Sequence, residues 1–198
     1  MDIKKLADVK DRFADYEKIF NSGDYDKAAD ILSAILERIE ECTDERKAGT
    51  MDDTFVKKSD MDGRPIYISL NHVMEYYVYA CYFEPETDAL CTELPVGEYY
   101  RTYGSLCLKI SKFRRAEDAF KKAICWNPVD LDSYLGLAEC YKNLNMLSRY
   151  LDVTKQAYRF CCSRATMARY YRNMGFYYVA RYNTEAARVC YTYSNIYY

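Results

Sequence analysis

Apolar positions recur at threes and fours along most of this chain. Leu6, Val9, Phe13, Tyr16 and Phe20 form one such stripe and predict a helix over 3–21. Asn21-Ser22-Gly23 breaks it. Asp24 is a good N-cap for a second helix over 25–42, with Ala28, Ile31, Leu32, Ile35 and Ile39 on its apolar face. Residues 43–64 carry many charges and no sustained period, which predicts an exposed loop. A third helix, rich in tyrosine, is predicted over 67–83 and ends before Pro85. The segment 84–96 holds two prolines and leaves room for a short helical turn at 87–92. From residue 97 onward the helical period is regular. The second helix of the fourth helical pair is predicted over 147–162 and the last helix over 184–197.

The stretch 97–130, GEYYRTYGSLCLKISKFRRAEDAFKKAICWNPVD, carries the clearest internal pattern. Tyr100, Tyr103, Gly104 and Cys107 stand in the slots W, L, G and Y of a tetratricopeptide repeat. Ala116, Phe120 and Ala123 stand in the second-helix slots, and Pro128 where the repeat ends. Gly inside a helix costs about 1 kcal/mol relative to Ala. Its place at 104 therefore needs a packing reason, which is close approach of the two helices with Tyr100, Tyr103 and Phe120 filling the space. Tyr134, Leu137, Ala138 and Tyr141 repeat the first-helix slots. So do Tyr171, Met174, Gly175 and Tyr178, followed by Ala187 and Tyr191. Gly104 and Ala138 are 34 residues apart, Ala138 and Gly175 are 37 apart, and Tyr150 and Ala187 are again 37 apart.

The fold class predicted is thus all-α, a right-handed tetratricopeptide-type solenoid of antiparallel helix pairs. Residues 1–42 form a degenerate N-terminal helix pair and 43–66 a charged loop. Residues 67–96 form an irregular repeat and 97–198 three regular repeats, in one continuous domain.

Composition narrows the function. Half of the 198 residues are hydrophobic, which indicates a globular chain. No run approaches 18 apolar residues and the first residues lack an apolar stretch, so neither a membrane span nor a signal peptide is expected. Nine cysteines without a CxxC point to packed, reduced thiols in a cytoplasmic protein. Cys161-Cys162 is the one pair a redox role would use. With a single histidine, His72, His-based triads and zinc clusters are hard to build, and His72 reads as structural or exposed. No phosphate-binding glycine loop occurs. Asp60, Asp62 and Gly63 resemble the start of a calcium loop but lack its later ligands. No cofactor, metal or catalytic residue is expected, and the chain is not read as an enzyme.

Net charge is −2, split as −11 over residues 1–98 and +9 over 99–198. Such asymmetry fits a partner for one half, or attraction between the two ends within or between chains.

The strings MARYYRNMGFYYVARYNTEAARVCYTYS, MEYYVYACYFEPE and FKKAICWNPVD go beyond the generic repeat. From about residue 66 to the C-terminus the chain resembles a family of cytoplasmic tetratricopeptide proteins from Firmicutes-type bacteria. That resemblance implies an all-α repeat fold. The family has no assigned activity, so no catalytic residue is carried over. The carboxylate clamp of chaperone-binding relatives requires Lys/Asn/Asn/Lys/Arg at set slots. Asp132, Gly136 and Ser105 stand at comparable positions here, and binding of a chaperone tail is not implied.

First helices of such arrays line a groove that is the usual ligand surface. Their groove-facing slots hold Glu98, Arg101 and Ser105, then Asp132, Leu135 and Glu139, then Arg169, Arg172 and Phe176, with Asn173 beside them. Arg101, Glu139, Arg169, Arg172, Asn173 and Phe176 are the candidate partner-binding residues. Arginine forks bind carboxylates bidentately, which points to an acidic peptide or protein segment. The alternative is that the arginines pair with Glu98, Asp132 and Glu139. The function expected is non-catalytic protein–protein interaction. A regulatory module binding RNA or a peptide signal through the basic half is a second reading. Self-assembly is a third, with homo-oligomerisation through the Tyr-rich C-terminal helix. The tyrosines at helical core spacing, Tyr76, Tyr77, Tyr79 and Tyr82, argue for packing over base stacking, and nucleic acid is disfavoured.

Overall fold

The computed structural model describes residues 9–42, 51–52, 55–56, 66–83 and 89–198. It is mostly helical, as the periodicity predicts. The chain divides into two compact units, Met1–Val129 and Asp130–Tyr198.

In the first unit, α1 (Val9–Ser22) and α2 (Tyr25–Cys42) form one helical hairpin, and α4 (Val96–Lys109) and α5 (Phe113–Trp126) another. Between them in sequence lies α3 (Val73–Phe83). The second unit is two further hairpins. The first is α6 (Leu131–Asn143) with α7 (Leu147–Ala157), which ends in a 3-10 turn, Tyr158–Phe160. The second is α8 (Arg164–Ala180) with α9 (Thr184–Tyr197). Predicted and observed bounds agree for α2 and α9. Residues 1–8, where the first helix was expected to begin, lie outside the described residues. The helix predicted over 147–162 gives way to the tighter turn at Tyr158.

The same turn closes three hairpins. Ser111, Asn145 and Tyr182 occupy the left-handed region, with φ of 60°, 57° and 58°, and recur at the 34- and 37-residue spacing of the sequence pattern. After each, the next N–H reaches back across the helix end. Lys112 donates to the Cys107 carbonyl at 2.8 Å, Met146 to Tyr141 at 2.8 Å and Asn183 to Tyr178 at 2.9 Å. These bonds satisfy carbonyls that a helix end leaves free. Gly23, at φ 88°, turns the first hairpin, and the side chain of Asp24 accepts from the N–H of Lys27, as expected of an N-cap.

Two segments differ from the sequence reading. The helix expected from residue 67 starts at Val73. Ile66–Ile68 (β3) is instead a strand, paired in parallel with Ala89–Cys91 (β4), where a helical turn was expected. A short apolar run does not by itself separate strand from helix. Hydrogen bonds distant in sequence decide here. The Ser69 N–H donates to the Trp126 carbonyl at 2.8 Å, and the Gly97 N–H donates to Ser69 Oγ at 3.2 Å. Within the charged segment 43–66, Met51–Asp52 (β1) and Phe55–Val56 (β2) pair antiparallel. The rest of that segment below Ile66, including Asp60, Asp62 and Gly63, lies outside the described residues, as do 84–88.

The core of the first unit joins Val9 and Tyr16 of α1, Leu32, Ile35 and Ile39 of α2, Tyr99 and Tyr100 of α4, and Trp126 of α5. The tyrosines of α3 are a correction: Tyr79 alone is buried, while Tyr76, Tyr77 and Tyr82 are exposed. In the second unit Tyr150, Leu137, Ala138 and Ala168 are buried.

Candidate functional site

On α8 the candidate residues Arg169, Arg172, Asn173 and Phe176 are spaced at three, four and seven, which places them on one stripe. Ala168, Met174 and Gly175 are its buried positions. A Ser163 capping box starts the helix: Ser163 Oγ accepts from the Thr166 N–H, and Thr166 Oγ1 accepts from the Ser163 N–H. Tyr150 of α7 supports the stripe from below. Its hydroxyl donates to the Asn173 carbonyl at 2.9 Å, and its ring meets Phe176 edge-on, with centroids 5.4 Å apart. Burial, with the charge of Glu139, pushes the Tyr150 phenol well above its ordinary pKa, so it is a fixed neutral donor.

Helix α6 supplies the facing groups. Asp132 pairs with Arg169 at 3.7 Å. Glu139 pairs with Lys142, whose ammonium lies 5.6 Å from the centre of the Phe176 ring. Glu139, Arg169, Asn173 and Phe176 are thus brought together with Asp132 and Lys142, and Arg172 stands on the same stripe. Arg172 is exposed and, among the described residues, has no carboxylate partner. Phe176 keeps 37% of its surface exposed. Arg101 belongs to the first unit and lies 3.5 Å from Glu98. Pairing therefore accounts for Arg101 and Arg169 and leaves Arg172. Leu135, expected to face the groove, is buried, as its apolar side chain favours.

The first unit holds a cavity of about 320 Å³. Helix α2 lines it with Ser33, Leu36, Glu37 and Glu40, α4 with Tyr100 and Tyr103, and α5 with Arg115, Asp118, Ala119 and Lys122. Glu40 is its fixed point. Its Oε1 accepts from the buried Tyr100 hydroxyl at 2.6 Å and from Lys122. Burial works to raise the Glu40 pKa, but the hydrogen bonds from Lys122 and Tyr100 outweigh it and hold the carboxyl below its ordinary range. Tyr100 is driven the opposite way by burial and by the Glu40 charge. Lys112 likewise pairs with Asp26 at 2.7 Å. Part of the charge asymmetry between the halves of the chain is therefore spent inside the first unit, joining α2 to the hairpin that follows.

The cavity was missed from sequence because its residues come from three helices up to 89 positions apart. A signal existed: Ser33, Glu37 and Glu40 form a polar stripe next to the apolar face of α2. Tyr150 stands at the slot that the small Ala187 fills 37 residues on, and its ring and hydroxyl support the α8 stripe.

Of the eight cysteines described, all are free; Cys107, Cys140 and Cys190 are buried, whereas Cys81, Cys91 and Cys162 are exposed, so the expectation of packed thiols holds only in part. Burial pushes the Cys161 thiol up to about 11, with the neighbouring Cys162 adding to the shift, which is opposite to what a reactive thiol needs. His72 is exposed, with Nε2 3.8 Å from Glu75. Among the described residues no cluster of His, Cys, Asp and Glu could hold a metal, and no helix is long and apolar enough to cross a membrane.

The chain matches no family model and no curated protein sequence.

Proposed function

We propose that this chain is a non-catalytic binding module of the tetratricopeptide type, cytoplasmic, which holds an acidic peptide or protein segment on the α8 stripe. The observation that carries this reading is the state of Arg172. It is an exposed guanidinium without a carboxylate partner among the described residues, one turn from the exposed ring of Phe176. An unpaired fork suits a carboxylate, and the adjacent ring suits an apolar side chain of the same segment. The 34- and 37-residue recurrence of the hairpin turns supports the repeat assignment. The free cysteines suit a reducing compartment.

The test is capture of partners from the native cell extract by the wild-type chain and by Arg169→Glu/Arg172→Glu, read by mass spectrometry. A protein held by the wild type and lost by the double variant supports the reading and identifies the partner. An identical catch by both moves binding away from α8. Recovery of this chain alone points to self-association, for which α9 offers the exposed Tyr191, Tyr193 and Ile196.

A further inference from the structure

The cavity of the first unit is separate from the α8 stripe and carries an inference independent of the peptide-binding reading. Its charges are unevenly used. Glu40 is neutralised by Lys122, and Tyr100 completes its hydrogen bonding. That leaves the exposed side chains of Glu37, Asp118 and Arg115 on the walls, and among the described residues none of the three forms an ion pair. Glu37 accepts only a long hydrogen bond from Ser33, at 3.4 Å. Asp118 stands one turn beyond Arg115 on α5, where flexible side chains on an open surface commonly meet. Here no ion pair joins them, and both line the α5 wall of the cavity.

We propose that this cavity binds an α-amino acid with a cationic side chain, either free or as the C-terminal residue of a peptide. Arg115 takes the ligand carboxylate through its planar fork. Glu37 and Asp118 take its cationic groups. The balance of charge fits the free amino acid, whose one anionic and two cationic groups match one arginine and two carboxylates; a C-terminal residue, with its α-nitrogen in an amide, uses one carboxylate fewer. A volume of about 320 Å³ lies at the small end for ligand sites, the size for one residue and not for a long segment. The half-buried ring of Tyr103 offers flat surface beside the charges, which favours a guanidinium over an ammonium because a guanidinium stacks. The clasp between Glu40, Tyr100 and Lys122 ties the three walls of the cavity to one another before the ligand arrives.

The experiment is calorimetric titration of the full chain with L-arginine, with agmatine, which lacks the carboxylate, and with norvaline, which lacks the side-chain cation. A short peptide ending in arginine and its C-terminal amide distinguish the two sources. Binding of L-arginine or of the free-acid peptide, weakened about tenfold or more in Arg115→Gln and in Asp118→Asn, supports the site. Preference between the two names the source. Arg115 and Asp118 are exposed, so both variants should unfold at the wild-type temperature, which separates lost binding from lost folding. Three results overturn the proposal: agmatine and norvaline binding as well as L-arginine, Arg115→Gln binding like wild type, or no heat of binding from L-arginine or the free-acid peptide at about 10 mM, a concentration that would detect even millimolar affinity.

Discussion

The α4/α5 hairpin of the first unit and the α8/α9 hairpin of the second share a plan. Each has a glycine in its first helix facing an aromatic residue sixteen positions on, and each closes with a left-handed residue at the turn. A Cβ on Gly104 would lie 3.0 Å from the Phe120 ring, and one on Gly175 would lie 2.8 Å from the Tyr191 ring. The surroundings of the two rings differ. Phe120 is 1% exposed and Tyr191 is 38% exposed. The helix starts differ too. α4 has no side-chain cap and is held by Ser69 Oγ, 28 residues away, whereas α8 carries its own capping box. One pattern in sequence thus serves a hairpin fastened from outside itself and a hairpin fastened largely from within. Close approach of the helices is common to both; the cost of disturbing it is not.

Truncating the two rings should separate them most. Phe120→Ala removes a buried ring and should destabilise by about 3–5 kcal/mol. Tyr191→Ala, at a partly exposed site, should cost about 1 kcal/mol or less. Equal shifts in denaturant midpoint would erase the contrast.

Filling the glycines gives a smaller effect of opposite signs. Gly104→Ala gains about 1 kcal/mol of helix propensity, but its methyl presses on a trapped ring, and overpacking costs about 1–3 kcal/mol. A net loss is expected. At Gly175 the facing ring has solvent to swing into, so Gly175→Ala should be neutral or stabilising. Thermal unfolding of the two variants side by side decides whether ring mobility sets the sign.

Smallest is the acid response of the clasp on α2. Glu40 has a folded pKa below its ordinary value of about 4.5. Its contribution is complete above the unfolded value and fades as pH falls through the folded one. Glu40→Gln should therefore lower stability at neutral pH, and the gap to wild type should close on acidification. The carboxylate is 47% exposed, so the loss should stay below about 1 kcal/mol. A gap that persists unchanged at pH 3 would mean that the Glu40 charge contributes nothing.

Much of the helical plan was legible because it is local. Leu32, Ile35 and Ile39 name the face of α2, Asp24 its start, and Asn127-Pro128 the end of α5. The strands at 66–68 and 89–91 were not legible, because they exist through each other and through Ser69's bonds to Trp126 and Gly97. On α3, tyrosines at every helical spacing gave no clue to which would be buried; Tyr79 was, and its neighbours were not. The α8 stripe followed from register alone. Its support by Tyr150 and its pairing with Asp132 did not, since a slot pattern names positions on one helix and not the side chains that reach it from another.

By itself, then, the sequence determined most of the helices and the 34- and 37-residue recurrence, because periodicity and caps act within a few residues of chain. Only the tertiary structure decided which charges are consumed and which remain. Lys122 and Glu40 are 82 residues apart and are neutralised on contact. Arg115 and Asp118 are neighbours on one helix turn, yet no ion pair joins them on the wall of the cavity. Coulomb attraction depends on distance in space and on the water excluded between the groups, and neither is written in the order of the residues.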